Sequence, residues 1–151
     1  MKIVCFSLLA FLQFAVANPE SDSLIFGIEK KTVAVYSMAV YTIASFHVEY
    51  QWWWKGNYHH FKQENDGFWN NYSLGVDKIG HFYTSFLYFN ITYEFLRWAT
   101  FDESSALCYA VLIPAFNALS IEIGDGFSTY AFSNADFFAN SLGIGFGVLQ
   151  K

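Results

Sequence analysis

Charge is what this sequence has least of. Charged residues fill 14% of its 151 positions, against about 25% in an average soluble domain. So few charges coat an ordinary water-facing surface poorly. The eight basic residues form no run, and the net charge is −5. Nucleic-acid binding needs Lys and Arg to neutralise phosphates, so that class is excluded. Cysteine is almost absent. Cys5 lies in the expected leader, leaving Cys108 alone in the mature chain. No disulfide framework forms from one cysteine. Cys108 sits in an apolar run and is expected to be an inert packing residue.

Apolar and aromatic residues are abundant. Hydrophobic residues reach 54% and aromatics 22%, including 18 Phe and 10 Tyr. Aromatic side chains with one polar end favour a membrane–water boundary. A soluble domain with an aromatic core is the competing reading. The length suits one domain.

Residues 1–17 have the parts of a secretory signal peptide. Lys2 is the positive start, Ile3 to Phe14 the apolar stretch, and Ala15-Val16-Ala17 the small-x-small site. Cys5 is too early for a lipid-attachment cysteine, so cleavage without lipidation is expected. The remainder, 18–151, reads as a single all-α domain. It is a small bundle of about four helices, membrane-embedded or membrane-associated.

Residues 18–30 are expected to be a polar, mobile lead-in. Residues 31–48 read as a first helix and 49–76 as an aromatic loop of short turns. In that loop Trp52, Trp53 and Trp54 suit either an interfacial anchor or a plug for the bundle's end. The adjacent His59 and His60 read as a surface feature rather than a metal site. Residues 77–99 form the next helix, capped by Asp77 or by the turn before it. Residues 102–123 come next, with Asp102 as cap. Ser104 to Ile121 is free of charge, near the lower limit for a membrane span. Pro114 inside it should kink the helix. Gly124-Asp125-Gly126 should end it. Ser133 should cap a last helix that runs to about residue 149.

Helical spacing gathers the polar residues. Asp77 and His81 share a face, continued by Ser85, Tyr88 and Thr92. Asp136, Asn140, Gly143 and Gly147 share another, whose glycines admit a close neighbour. Glu122 lies on the face of Ala115 and Ala118. Three otherwise apolar helices thus aim polar groups inward near one end, beside Lys78. Buried charges are costly unless paired, and ionisable groups in membrane helices mark candidate functional sites.

The same residues carry a likeness. D77-K78-I79-G80-H81-F82, then E122-I123-G124-D125-G126-F127-S128, then F132-S133-N134-A135-D136 with Asn140 and Gly143 resemble YfiM-type predicted periplasmic lipoproteins. That family is of unknown function. More distantly the pieces resemble VanZ-like membrane proteins, which are associated with glycopeptide resistance. The likeness covers roughly residues 50–147. It implies an exported helical protein of the bacterial periplasm or cell membrane. It also marks Asp77, Lys78, His81, Glu122, Asp125, Asp136 and Asn140 as site positions. Two departures are the missing lipobox cysteine and a chain that stops just after the last motif, as a truncated or minimal version would.

Three functions remain open on these residues. In the first, the cluster fixes helix packing or binds a membrane lipid or cell-wall headgroup. Lys78, Asp125, Asp136 and Asn140 are then the binding residues, and Lys78 pairs with Asp136 or Glu122. In the second, the protein is a hydrolase or transferase acting on a lipid-linked envelope substrate. Asp77, His81 and Glu122 are its catalytic candidates, with His81 a base oriented by Asp77. A divalent metal on Asp77, His81, Glu122 and Asp136 is the variant of that idea. No nucleophile motif accompanies it. The third is a proton or ion path.

Overall fold

The structure, a computed structural model, describes residues 24–69 and 73–151. The leader expected at 1–17 lies outside the described residues. Four helices dominate: α1 (Lys30–Glu49), α2 (Val76–Trp98), α3 (Glu103–Gly126) and α4 (Asn134–Val148). The all-α expectation holds. Two miniature sheets join it. Strands β1 (Leu24–Ile25) and β2 (Ile28–Glu29) form an antiparallel hairpin where a mobile lead-in was expected. Strands β3 (Gln63–Glu64) and β4 (Phe132–Ser133) pair in parallel, Gln63 opposite Phe132 and Glu64 opposite Ser133.

The helix ends reflect local chemistry. The Asp102 carboxylate accepts from the Ser105 N–H at 2.9 Å and caps α3. The Ser133 hydroxyl accepts from the Asp136 N–H at 3.1 Å and caps α4. Each satisfies an otherwise orphaned N–H. At α2 the turn does the capping, through left-handed Gly75, and Asp77 is free to pair elsewhere. Two boundaries differ from the sequence reading. Helix α3 continues through Gly124 and Asp125 and ends at Gly126. Helix α1 does not give way to a loop at residue 49. It widens into a π-turn, Tyr50–Trp54.

Helices α2, α3 and α4 pack along their lengths, while α1 meets α2 over a short stretch. Phe89, Tyr93, Leu96, Ala106, Ala110 and Ile144 form the main core. Glycines set the α2–α4 spacing. A Cβ on Gly143 would stand 2.1 Å from the Phe82 carbonyl oxygen, and one on Gly147 would stand 2.3 Å from the Phe89 ring. Cys108 is a correction: it is exposed on the outer face of α3 rather than packed. The residues that pack inward from its part of the helix are Ala106 and Ala110.

Candidate functional site

Lys78 is the centre of the polar cluster. Only 4% of its side chain is exposed. Its Nζ stands 2.5 Å from Asp66 Oδ2, 2.6 Å from Asp136 Oδ1 and 3.1 Å from Asp77 Oδ2. Three elements converge to do this. The first turn of α2 carries Asp77 and Lys78, and the first turn of α4 carries Asp136. The β3–β4 pairing brings in the segment after β3, which carries Asp66. The Ser133 hydroxyl stitches the last two together by donating to Asp66 Oδ1 at 2.8 Å.

The protonation of the central pair is set by this packing. Burial alone would lower the Lys78 pKa, but hydrogen bonds to Asp136, Asp66 and Asp77 and the Asp136 charge raise it above the ordinary lysine value. Burial alone would push Asp66 up. The Lys78 and Ser133 hydrogen bonds and the lysine charge outweigh it, and the Asp66 carboxyl titrates below its usual value. Both groups therefore stay ionised across the physiological range. One ammonium among three carboxylates leaves the cluster negative.

His81 stands beside this group, its Nε2 3.7 Å from Asp77 Oδ1 and 3.6 Å from Asp136 Oδ1. Those separations exceed a hydrogen bond. Ligand atoms of Asp77, His81 and Asp136 all lie within 4.8 Å of one another. Glu122, expected among them, is not part of that group. It is 1% exposed, and its Oε2 accepts the Ser133 N–H at 3.2 Å. It therefore holds the α3–α4 connection, while Oε1 is buried without a hydrogen bond. Lys78 pairs with Asp136, one of the two partners expected, and not with Glu122.

A cavity of about 510 Å³ opens from this cluster. Asp77, His81, Ser85 and Asn140 line it; the Ser85 hydroxyl donates to Asn140 Oδ1 at 2.8 Å. Asp125, Asn117, Tyr88, Trp53 and Tyr130 also line it. Pro114, Ala118 and Ile121 supply apolar wall. Asp125 is fixed by Trp54, whose indole Nε1 donates to Oδ1 at 2.8 Å. Trp54 is buried as the plug; Trp52 and Trp53 are exposed. His59 and His60 are exposed and outside the cluster.

Sequence reasoning missed Asp66, and it named Trp54 only as one of three tryptophans, without its bond to Asp125. Asp66 lies in an aperiodic segment and joins only through the β3–β4 pairing, which no helical spacing signals. Nothing in the sequence sets Trp54 apart from its two neighbours; the π-turn alone selects it. Glu49 was also missed. It is buried at the end of α1, with Oε2 lacking a hydrogen bond.

The described residues form a small bundle of apolar helices that holds a polar-walled pocket. Residues 65–151 match the predicted periplasmic lipoprotein family DUF2279, and the chain belongs to that family. It is thus an exported protein of the periplasm or its membranes. No curated protein and no solved structure matches it.

Proposed function

We propose that the pocket binds the polar headgroup of an amphiphile of the envelope, a lipid or a lipid-linked cell-wall molecule. The carrying observation is the pocket's mixed lining: Asp77, Asp125, His81, Ser85 and Asn140 line it together with the apolar Pro114, Ala118 and Ile121. Headgroup and first methylenes each find matching side chains in such a lining. The charge balance sets the headgroup's sign. Carboxylates outnumber Lys78, so an amine or hydroxyl-rich headgroup fits, and a bare phosphate is repelled. Trp53, Tyr88 and Tyr130 suit an ammonium group, which aromatic faces attract. The narrower YfiM-type and VanZ-like likeness belongs to the same reading, since both place these motifs in envelope proteins.

Binding is favoured over catalysis by three features. His81 is beyond hydrogen-bond distance of its carboxylates. Ser85 is engaged by Asn140. Cys108 is on the outer surface. A second reading rests on the convergence of Asp77, His81 and Asp136: these residues would hold a divalent cation, supplying Lewis-acid chemistry to a hydrolase. Lys78, a cation 2.6 Å from Asp136, competes with it.

One titration separates the readings. The purified protein is titrated, following tryptophan fluorescence, with short-chain phosphatidylethanolamine, with phosphatidic acid of the same chain length, and with Mn²⁺ alone. Saturable binding of the ethanolamine lipid, weakened tenfold or more by Asp125→Asn, is expected. Preference for phosphatidic acid would sink the amine reading. Tight Mn²⁺ binding abolished by His81→Ala would favour the metal.

A further inference from the structure

The charged residues of the four helices gather at two ends. At one end Lys30 lies over the Trp98 ring at 5.3 Å and Lys31 over Phe101 at 5.4 Å. Lys151 pairs there with Glu94 at 2.6 Å. At the other end lies the cluster of Asp66, Asp77, Lys78 and Asp136. Successive helices therefore run in alternating directions between two charged zones.

Nothing charged by Asp, Glu, Lys or Arg lies between. The bare stretches are 32–46 in α1, 79–93 in α2, 104–121 in α3 and, from α4 onward, 137–150. His81, at the pocket end, is their one histidine. At 1.5 Å per residue these stretches are about 21–27 Å long. The outer faces across this layer are apolar on several helices at once. Val40 and Ile43 of α1, Leu112 and Phe116 of α3, and Leu142 and Phe146 of α4 are 46–70% exposed. A bundle standing in water carries charges on the outer faces of its helices, and helices apolar all round are buried or span a membrane. Exposed apolar surface of this extent needs cover.

We infer that all four helices cross a lipid bilayer and that acyl chains cover the apolar belt. By length and composition only α3 qualifies as a span on its own among the described residues. The other three reach the same thickness as a layer because their charged ends are aligned by the fold. The layer is somewhat thinner than the roughly 30 Å of hydrocarbon. Lysine stems bridge such a difference by reaching outward, and the exposed Lys31 and Lys151 stand where that is needed. Trp52 and Trp53, exposed just beyond the far edge of the layer, occupy the level that tryptophans favour at a membrane surface.

This inference does not depend on what the pocket binds, and its test is separate. Open membrane sheets holding the full-length protein are washed with alkaline carbonate. Single cysteines are then placed at Leu112, Phe116 and, as a water-exposed control, Tyr58 in a C5S/C108S chain. Each is reacted with a membrane-impermeant maleimide. The protein should stay in the membrane. L112C and F116C should react at least tenfold more slowly than Y58C, and equally fast after denaturation. I43C and L142C read the same layer should either α3 variant fail to fold. Release by carbonate overturns the inference. So does retention with reactive layer cysteines, which describes a bundle standing in water and held at the membrane by something other than its helices.

Discussion

A single ammonium held by three carboxylates makes Lys78 the residue whose loss costs most. Lys78→Met removes the compensating charge from Asp66, Asp77 and Asp136, and breaking a buried pair in this way costs about 3–5 kcal/mol. Asp66→Asn removes one partner of several and should cost about 1–2 kcal/mol. Thermal unfolding of the two variants in detergent checks the order. The pH dependence has two limbs. Asp66 titrates low in the folded state, so its contribution is present above the ordinary carboxylate range and fades as pH falls through the lowered value. Lys78 titrates high, so its contribution is complete below the ordinary lysine value of 10.5 and fades as pH rises through the raised one. Stability from the cluster should be level between roughly pH 5 and pH 10, and Asp66→Asn should flatten the acid limb. An unchanged acid limb in that variant would mean that Asp66 contributes nothing. The pairing of Lys78 with Asp136 was legible in the sequence only as one of two alternatives, the other being Glu122. Asp66 was not, because its approach depends on a two-residue parallel pairing between distant segments.

Among the elements, α2 and α4 approach most closely, and glycine permits it. Gly143→Ala would drive its methyl into the Phe82 backbone, where no side chain is free to swing away. Overpacking of this kind costs about 1–3 kcal/mol. Gly80→Ala, on α2 with nothing within 4 Å of the added carbon, should be neutral or slightly stabilising, since alanine is the better helix former. Equal melting temperatures for the two variants would show that the helices are not held at this contact. Separation at Gly143 would also pull Asn140 from Ser85, so pocket binding should fall with stability in G143A. The stripe of Asp136, Asn140, Gly143 and Gly147 was readable from spacing alone, as were the caps Asp102 and Ser133. The end of α3 was not. Gly124 looks like a terminator, but it is retained in the helix where its missing side chain makes room for the Trp54 indole.

Across the whole molecule the family match begins at residue 65 and so covers α2, α3 and α4 but not α1. The packing divides in the same place: three helices share the core and α1 lies against them lightly. Hydrogen exchange in detergent should therefore release the α1 amides well before those of α2, because local opening tracks the contacts an element must break. Equal protection would mean that α1 is locked at its start, through Lys30 at Trp98. The zoning of charge was partly legible. Each bare stretch can be marked on the sequence, but their alignment into one layer needs the alternating helix directions.

The π-turn at Tyr50–Trp54 fixes the phase of the chain as it leaves α1. Removing one residue there would rotate the downstream chain by about 100° on an α-helical spiral. A different member of the tryptophan triplet would then face Gly124, and the indole that secures Asp125 would point into the surroundings. Three identical side chains in a row are therefore not interchangeable; in this stretch a deletion does more damage than many substitutions.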